Sequence, residues 1–196
     1  VDEYLPYVSD RVKLIGLKDA PIKCSHAATQ TEPRSHNDYF VDFNTHVLTV
    51  ADDDSKADCL YTSAKTHNID VKNIYPEGRP WDGGMENFTT GGGIKLNLLR
   101  DYIQDLPDDD VVLFTDAYDI FFTDPLETIV RKYLSFKTEV LFSAEQYRWP
   151  DKSLIWPPSL TPYRYLCSGM FIGRVRTLKH IISKPLHNSA DDQLYL

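Results

Sequence analysis

The chain has 196 residues and a mass of 22.5 kDa, with 42% hydrophobic and 26% charged residues, which suits one compact domain and excludes a disordered composition. Twenty-one Lys plus Arg stand against 29 Asp plus Glu, a formal charge of −8, and the absence of a basic stripe interleaved with aromatics argues against nucleic-acid binding. No run approaches the ~18 apolar residues of a membrane span and no charged-then-apolar leader opens the sequence; since it begins at Val1 and stops in what reads as a helix start, a fragment or processed product is expected.

Residues 1–45 mix Pro, charge and short apolar runs without a sustained period, and are expected to form an extension ahead of a domain at 46–196. From His46, "HVLTVA" is a β-rich apolar run, "DDDSKADCLYTSAKTHN" opens with helix-capping acids and continues as a helix, and "VKNIY" is a second strand. Strand, helix, strand at this length predicts a βαβ unit in a parallel sheet.

"PEGRPWDGGMENFTTGGG" is too rich in Gly, Pro and Thr for a regular element, and a loop of that length is expected to be either functional or disordered. In the helix that follows, Ile94, Leu98, Leu99, Tyr102, Ile103 and Leu106 share a face before Pro107 ends it. "VVLF" at 111–114 is a continuous apolar run, as in a strand covered on both faces. Next, Asp124 is expected to cap a helix, with Pro125 at its first position and Glu127 completing a capping box. "VLFSAE" and "GMFIG" are two further strands, so the alternation predicts a doubly wound α/β fold.

Within "LFTDAYDIFFTD", Asp116 and Asp119 follow a run of β-formers. Ligands of open α/β sheets bind beyond the carboxyl ends of the strands, and two carboxylates aimed at one point repel unless a cation lies between them. Oxygen ligands of this kind suit Mg²⁺ or Mn²⁺, with positions left for a diphosphate. The same two residues also fit a turn cap beside a solvated acid. An aspartyl nucleophile of a phosphatase or phosphotransferase would normally be followed by a second Asp two positions on, where this chain has Tyr118.

In "GGGIK", Gly91, Gly92 and Gly93 permit close backbone approach, a helix starting near Ile94 offers N–H groups, and Lys95 adds a charge; an anion site or a plain hinge fits equally. Trp81 and Trp149 lie in polar, turn-rich stretches where a base or sugar can stack, or where a Trp simply covers a loop. Asp191 and Asp192 follow Ser189 as a capping-box-like S-x-x-D, and paired acids there can equally contact sugar hydroxyls or a cationic transition state. Cys24, Cys59 and Cys167 lack metal-type spacing, the six His fall at no ligand spacing, and Asn87-Phe88-Thr89 is a formal N-glycosylation sequon.

Taken in order, "WDGG", "GGGIK", "FTDAYDIFF", "FSAEQYRWPD", "YLCSGMFIG" and "DDQLY" resemble the glycosyltransferase domain of the procollagen lysyl hydroxylase/glycosyltransferase family, from about Val47 to the end of the chain. The resemblance implies a GT-A-type fold, with a mostly parallel twisted sheet flanked by helices. It implies a UDP-sugar donor, over which the loop at 76–93 is expected to close, and a Mn²⁺ held partly by Asp116 and Asp119. Tyr118 is then expected against the uridine, Thr49 and Val50 near the nucleoside, Trp81 and Lys95 in the donor-side loop, and Trp149, Asp191 and Asp192 along the sugar and acceptor cleft. The implied reaction moves galactose or glucose to a hydroxylysine-type or collagen-like acceptor, in the endoplasmic reticulum or secretory pathway. This chain departs from the family in carrying Cys167 where an Asn precedes Ser-Gly, and it stops before the segment in which the family places a further metal-binding His. A non-catalytic glycosyltransferase-like scaffold is the alternative expectation.

Overall fold

The computed structural model describes residues 12–14, 43–84 and 91–196. Its strands are β1 (Val12–Leu14), β2 (Thr45–Thr49), β3 (Val71–Asn73), β4 (Val111–Thr115), β5 (Val140–Glu145) and β6 (Tyr165–Arg174), in the spatial order β1-β5-β6-β4-β2-β3. The helices are α1 (Asp58–Thr66), α2 (Gly93–Ile103), α3 (Leu126–Ser135), α4 (Val175–Ile181) and a short α5 (Asp192–Tyr195).

Strand periodicity explains the layering. Successive side chains of a strand face opposite sides, and here both sides are apolar. Val47, Val111, Leu113, Leu141 and Ile172 pack with Leu60 and Ala64 of α1 and Tyr133 of α3. Their neighbours Leu48, Val112, Phe114, Val140, Phe142 and Phe171 pack on the other face with Ile94, Leu96, Leu99 and Ile103 of α2 and Leu178 of α4. All five residues of β4 are consequently buried, which is why its sequence shows no polar alternation.

The expected βαβ unit is present: β2 pairs in parallel with both β3 and β4. β6 runs antiparallel to β4 and β5, an exception that element alternation did not foretell. No helix connects β5 to β6, and an antiparallel return needs only a loop. The strand also begins earlier than "GMFIG" suggests, at Tyr165.

Two caps differ from expectation. Pro125, extended at φ −61 and ψ 151, is the N-cap of α3, while Asp124 pairs with Lys132 Nζ at 2.8 Å. Asp53 caps the short 3-10 turn Asp54–Lys56 ahead of α1, accepting from Ser55 N–H, so the acids cap a turn and α1 begins only at Asp58. The sequon at 87–89 lies outside the described residues, as does Cys24, whereas Cys59 and Cys167 are free thiols.

Candidate functional site

β4 ends at Thr115, and Asp116 continues its ladder for one more bond, donating its N–H to Gly169 O at 2.7 Å. Because β6 is antiparallel, its beginning lies beside the carboxyl ends of β4 and β5, so Ser168 and Gly169 border the crevice that a parallel sheet opens there. A methyl group on Gly169 would stand 3.0 Å from Asp116 Oδ2, so the bare backbone leaves that carboxylate its room.

Lys95, in the first turn of α2, points its ammonium between two carboxylates. Its Nζ lies 2.8 Å from Asp116 Oδ1 and 2.7 Å from Asp192 Oδ2, and its side chain is only 7% exposed. Burial alone would lower the ammonium, but Asp116 and Asp192 outweigh it and hold Lys95 well above its ordinary range. Asp116 is pushed up by burial, opposed by Lys95 and reinforced by the charges of Asp192 and Asp119. Asp191 is also raised, first by burial and then by Asp192 beside it. Three carboxylates, Asp116, Asp191 and Asp192, thus share one ammonium, and Asp119 adds a fourth negative charge beside Asp116.

The C-terminal segment completes the wall. Asp192 Oδ1 accepts from Ser168 Oγ at 3.2 Å, and Asp192 N–H donates to Gly91 O at 3.1 Å. Asp191, not Ser189, is the N-cap of α5, accepting from Leu194 N–H at 2.7 Å, while Ser189 Oγ bonds His187. Gln193 joins Glu145 Oε1 at 2.6 Å and Trp149 O at 3.1 Å, which fixes the backbone of Trp149 while 45% of that residue stays exposed.

The start of α2 is not the open anion cradle that "GGGIK" suggested. Gly92, Gly93 and Ile94 donate their N–H groups to Gly83 O, Ala190 O and Asn188 O at 2.8, 2.8 and 2.9 Å, and Lys95 N–H bonds Gly92 O. The donors that a helix N-terminus usually leaves free are used by the segment that folds over it. Gly92 itself has φ 96, and a methyl there would sit 2.6 Å from Asp192 Oδ2.

A second group gathers at the end of β2. Thr49 is wholly buried, its hydroxyl bonded to Thr115 O at 2.8 Å, and Val50 belongs to the core. These two therefore shape the strand end rather than present side chains to the crevice. Tyr118, 43% exposed, donates its hydroxyl to Asp52 Oδ1 and accepts from Asp53 N–H at 3.1 Å. Burial and the Asp52 carboxylate push that phenol up to about 12. Asp119 is exposed and has no hydrogen-bond partner among the described residues.

Trp81 is partly buried against the core, 5.9 Å from the ring of Tyr75, and donates Nε1–H to Gly84 O at 2.8 Å. It covers its loop and offers little free face. Of the loop at 76–93, residues 85–90 lie outside the described residues, so closure over a ligand is not visible; the preceding part is pinned by Asp82, which accepts from Asn188 Nδ2 at 2.7 Å.

The structure brings Lys95, Asp116, Asp191 and Asp192 together, with Asp119 acting on Asp116 by charge. Sequence reasoning missed Asp52, Glu145, Ser168 and Gln193. "SADDQ" did contain Gln193, and a polar residue right after paired acids was the available signal. No group of three or more His, Cys, Asp or Glu that could hold a metal occurs among the described residues. Asp116 and Asp119 by themselves nevertheless fit a hard cation that keeps other ligands: surplus negative charge surrounds them, and Asp116 Oδ2 accepts no hydrogen bond among the described residues.

A family model described as the PLOD GT domain matches residues 42–196. The procollagen-lysine,2-oxoglutarate 5-dioxygenase of Drosophila melanogaster is similar at 39% identity over 155 residues, 76% of this chain and 21% of that protein. The multifunctional procollagen lysine hydroxylase and glycosyltransferase of Caenorhabditis elegans is 36% identical over 143 residues, 69% of this chain and 20% of that protein. The human procollagen-lysine,2-oxoglutarate 5-dioxygenase 2 is 34% identical over 155 residues, 76% and 21% of the two chains. The chain thus spans about a fifth of the length of the curated relatives it matches.

Proposed function

The chain belongs to the PLOD glycosyltransferase-domain family and has the α/β sheet of a GT-A-type domain, and from that premise we propose that it binds a UDP-sugar and transfers galactose or glucose to a hydroxylysine-type, collagen-like acceptor. The observation that carries the proposal is the cluster at the strand ends, where Asp116, Asp191 and Asp192 share the ammonium of Lys95 and the charge of Asp119 adds to that of Asp116. A diphosphate cannot enter such a place without added positive charge. Asp116 and Asp119 would hold a divalent cation such as Mn²⁺, which when bound supplies Lewis-acid neutralisation of the diphosphate leaving group.

The chain's own residues divide the remaining work. Lys95 keeps Asp116 and Asp192 in place while cancelling part of their mutual repulsion. Tyr118 offers the nucleoside an exposed ring, on a strand-end platform braced by Thr49 and Val50. On the acceptor side, the half-exposed Trp149 would stack on a sugar, Asp191 would orient its hydroxyls, and the buried Asp192, bonded to Lys95 and Ser168, would act by its charge on cationic character at the transferred carbon. Trp81 contributes through the donor-side loop that it fastens.

Two of the named relatives are procollagen-lysine dioxygenases and one is a multifunctional hydroxylase and glycosyltransferase. On that basis the acceptor is assigned to procollagen-type chains and the site of action to the secretory pathway. No helix among the described residues is long and apolar enough to cross a membrane. A collagen-like peptide containing hydroxylysine, incubated with the chain, Mn²⁺ and UDP-galactose or UDP-glucose, should gain one hexose by mass spectrometry. Asp119→Ala should leave the peptide unmodified. Absence of transfer by the unaltered chain, or equal transfer by Asp119→Ala, contradicts the proposal.

A further inference from the structure

Tyr118 keeps its ring open to solvent while its hydroxyl is held from two directions. The hydroxyl donates to Asp52 Oδ1 and accepts from Asp53 N–H at 3.1 Å. Both partners stand in the turn after β2, and that turn is itself fastened. Asn73 Oδ1 accepts from Ala51 N–H at 3.1 Å, and Asn73 Nδ2 donates to Ala51 O at 2.8 Å and to Asp54 Oδ1 at 2.9 Å. Tyr61 adds its hydroxyl to Asp54 Oδ1 at 2.6 Å, and Asp53 Oδ1 caps Ser55 N–H at 3.1 Å. β3, α1 and the 3-10 turn therefore converge on one short stretch whose outward side holds the phenol.

An exposed tyrosine held only at Cα would rotate among staggered wells, and a planar ligand stacking on it would have to immobilise it. Here the ring's far end is already fixed, so that ordering is done before a ligand arrives. We propose that Asp52 is a positioning residue: through the Tyr118 hydroxyl it sets the ring as a fixed stacking face for the planar base of a nucleoside diphosphate, whose phosphates lie toward Asp116 and Asp119. This inference rests on the donor-binding function proposed above. It adds a residue that touches neither ligand nor metal, and it explains why an exposed carboxylate is bonded to an exposed phenol at the end of a buried strand.

The test compares UDP with inorganic pyrophosphate, both titrated calorimetrically into the full chain with Mn²⁺. Asp52→Ala and Tyr118→Phe should each weaken UDP by roughly 3- to 10-fold, the cost of ordering one side chain, and leave pyrophosphate unchanged. Asp52→Asn keeps an acceptor oxygen and should restore most of the affinity. The double variant Asp52→Ala/Tyr118→Phe should bind UDP no more weakly than the worse single variant, because one bond joins the two groups. Asp52 is exposed, so thermal unfolding of the variants should stay close to that of the unaltered chain. Equal losses for UDP and pyrophosphate, additive effects, or unchanged UDP binding in Asp52→Ala overturn the inference while leaving the donor function standing. Failure of the unaltered chain to bind UDP overturns both.

Discussion

Lys95 joins carboxylates from distant parts of the chain, Asp116 after β4 and Asp192 in α5, with its side chain 7% exposed. Breaking a buried pair by removing one partner is far costlier than the pair's net worth, because the other charge is left stranded. Lys95→Met should therefore lower unfolding free energy by about 3–5 kcal/mol in urea titrations, and Mn²⁺ should stabilise that variant more than the unaltered chain. A loss under 1 kcal/mol would mean that the carboxylates find other compensation. Gly92→Ala faces both φ 96 and an oxygen 2.6 Å from the new methyl, and should cost about 1–3 kcal/mol; near-neutral behaviour in the same titration would show that α2 can shift its first turn. At this scale the sequence disclosed Asp116 and Asp119 through their place after a run of β-formers. It could not disclose that Lys95 is spoken for, because Asp192 lies 97 positions further along and only folding brings it near.

Elements show the same division. α2 was legible from its apolar face, yet its N-terminal donors, read from sequence as free, are used by the carbonyls of Ala190 and Asn188. The end of the sheet away from the crevice depends on Asp110, just before β4: its Oδ1 accepts from Asn44 N–H at 2.9 Å, its Oδ2 bonds His46 Nε2 at 2.8 Å, and its carbonyl accepts from Val175 N–H at 2.9 Å. Burial would raise this carboxyl, but the bonds from His46 and Asn44 prevail and hold it below its ordinary value. A depressed carboxyl contributes stability that is present above its unfolded pKa, about 3.9, and is lost as pH falls below that toward the folded value. Asp110→Ala should cost about 1–3 kcal/mol near neutral pH, and should flatten the fall of stability with acid below about pH 4, while UDP binding stays unchanged. A variant whose acid limb matches that of the unaltered chain would contradict this role for Asp110. β6 is the element whose direction was least legible, since periodicity reports burial and says nothing of the sense in which a strand runs.

For the molecule as a whole, one antiparallel strand inside an otherwise parallel sheet brings the start of β6 to the carboxyl ends of β4 and β5. That placement sets Ser168 and Gly169 beside Asp116, and the final residues of the chain then close over α2 to deliver Asp191 and Asp192. The architecture and the strand end that bears the acids followed from hydrophobic runs and their order. The wall that faces them, made by Glu145, Ser168, Asp192 and Gln193, is a product of contacts between remote segments. The function proposed above makes this wall and the paired acids a metal-dependent nucleotide-sugar site. The most direct measurement is calorimetric titration of UDP into the chain, once with Mn²⁺ and once with a chelator. Saturable binding with Mn²⁺ that disappears with chelator is the expected result; no uptake in either condition, or equal uptake in both, would contradict it.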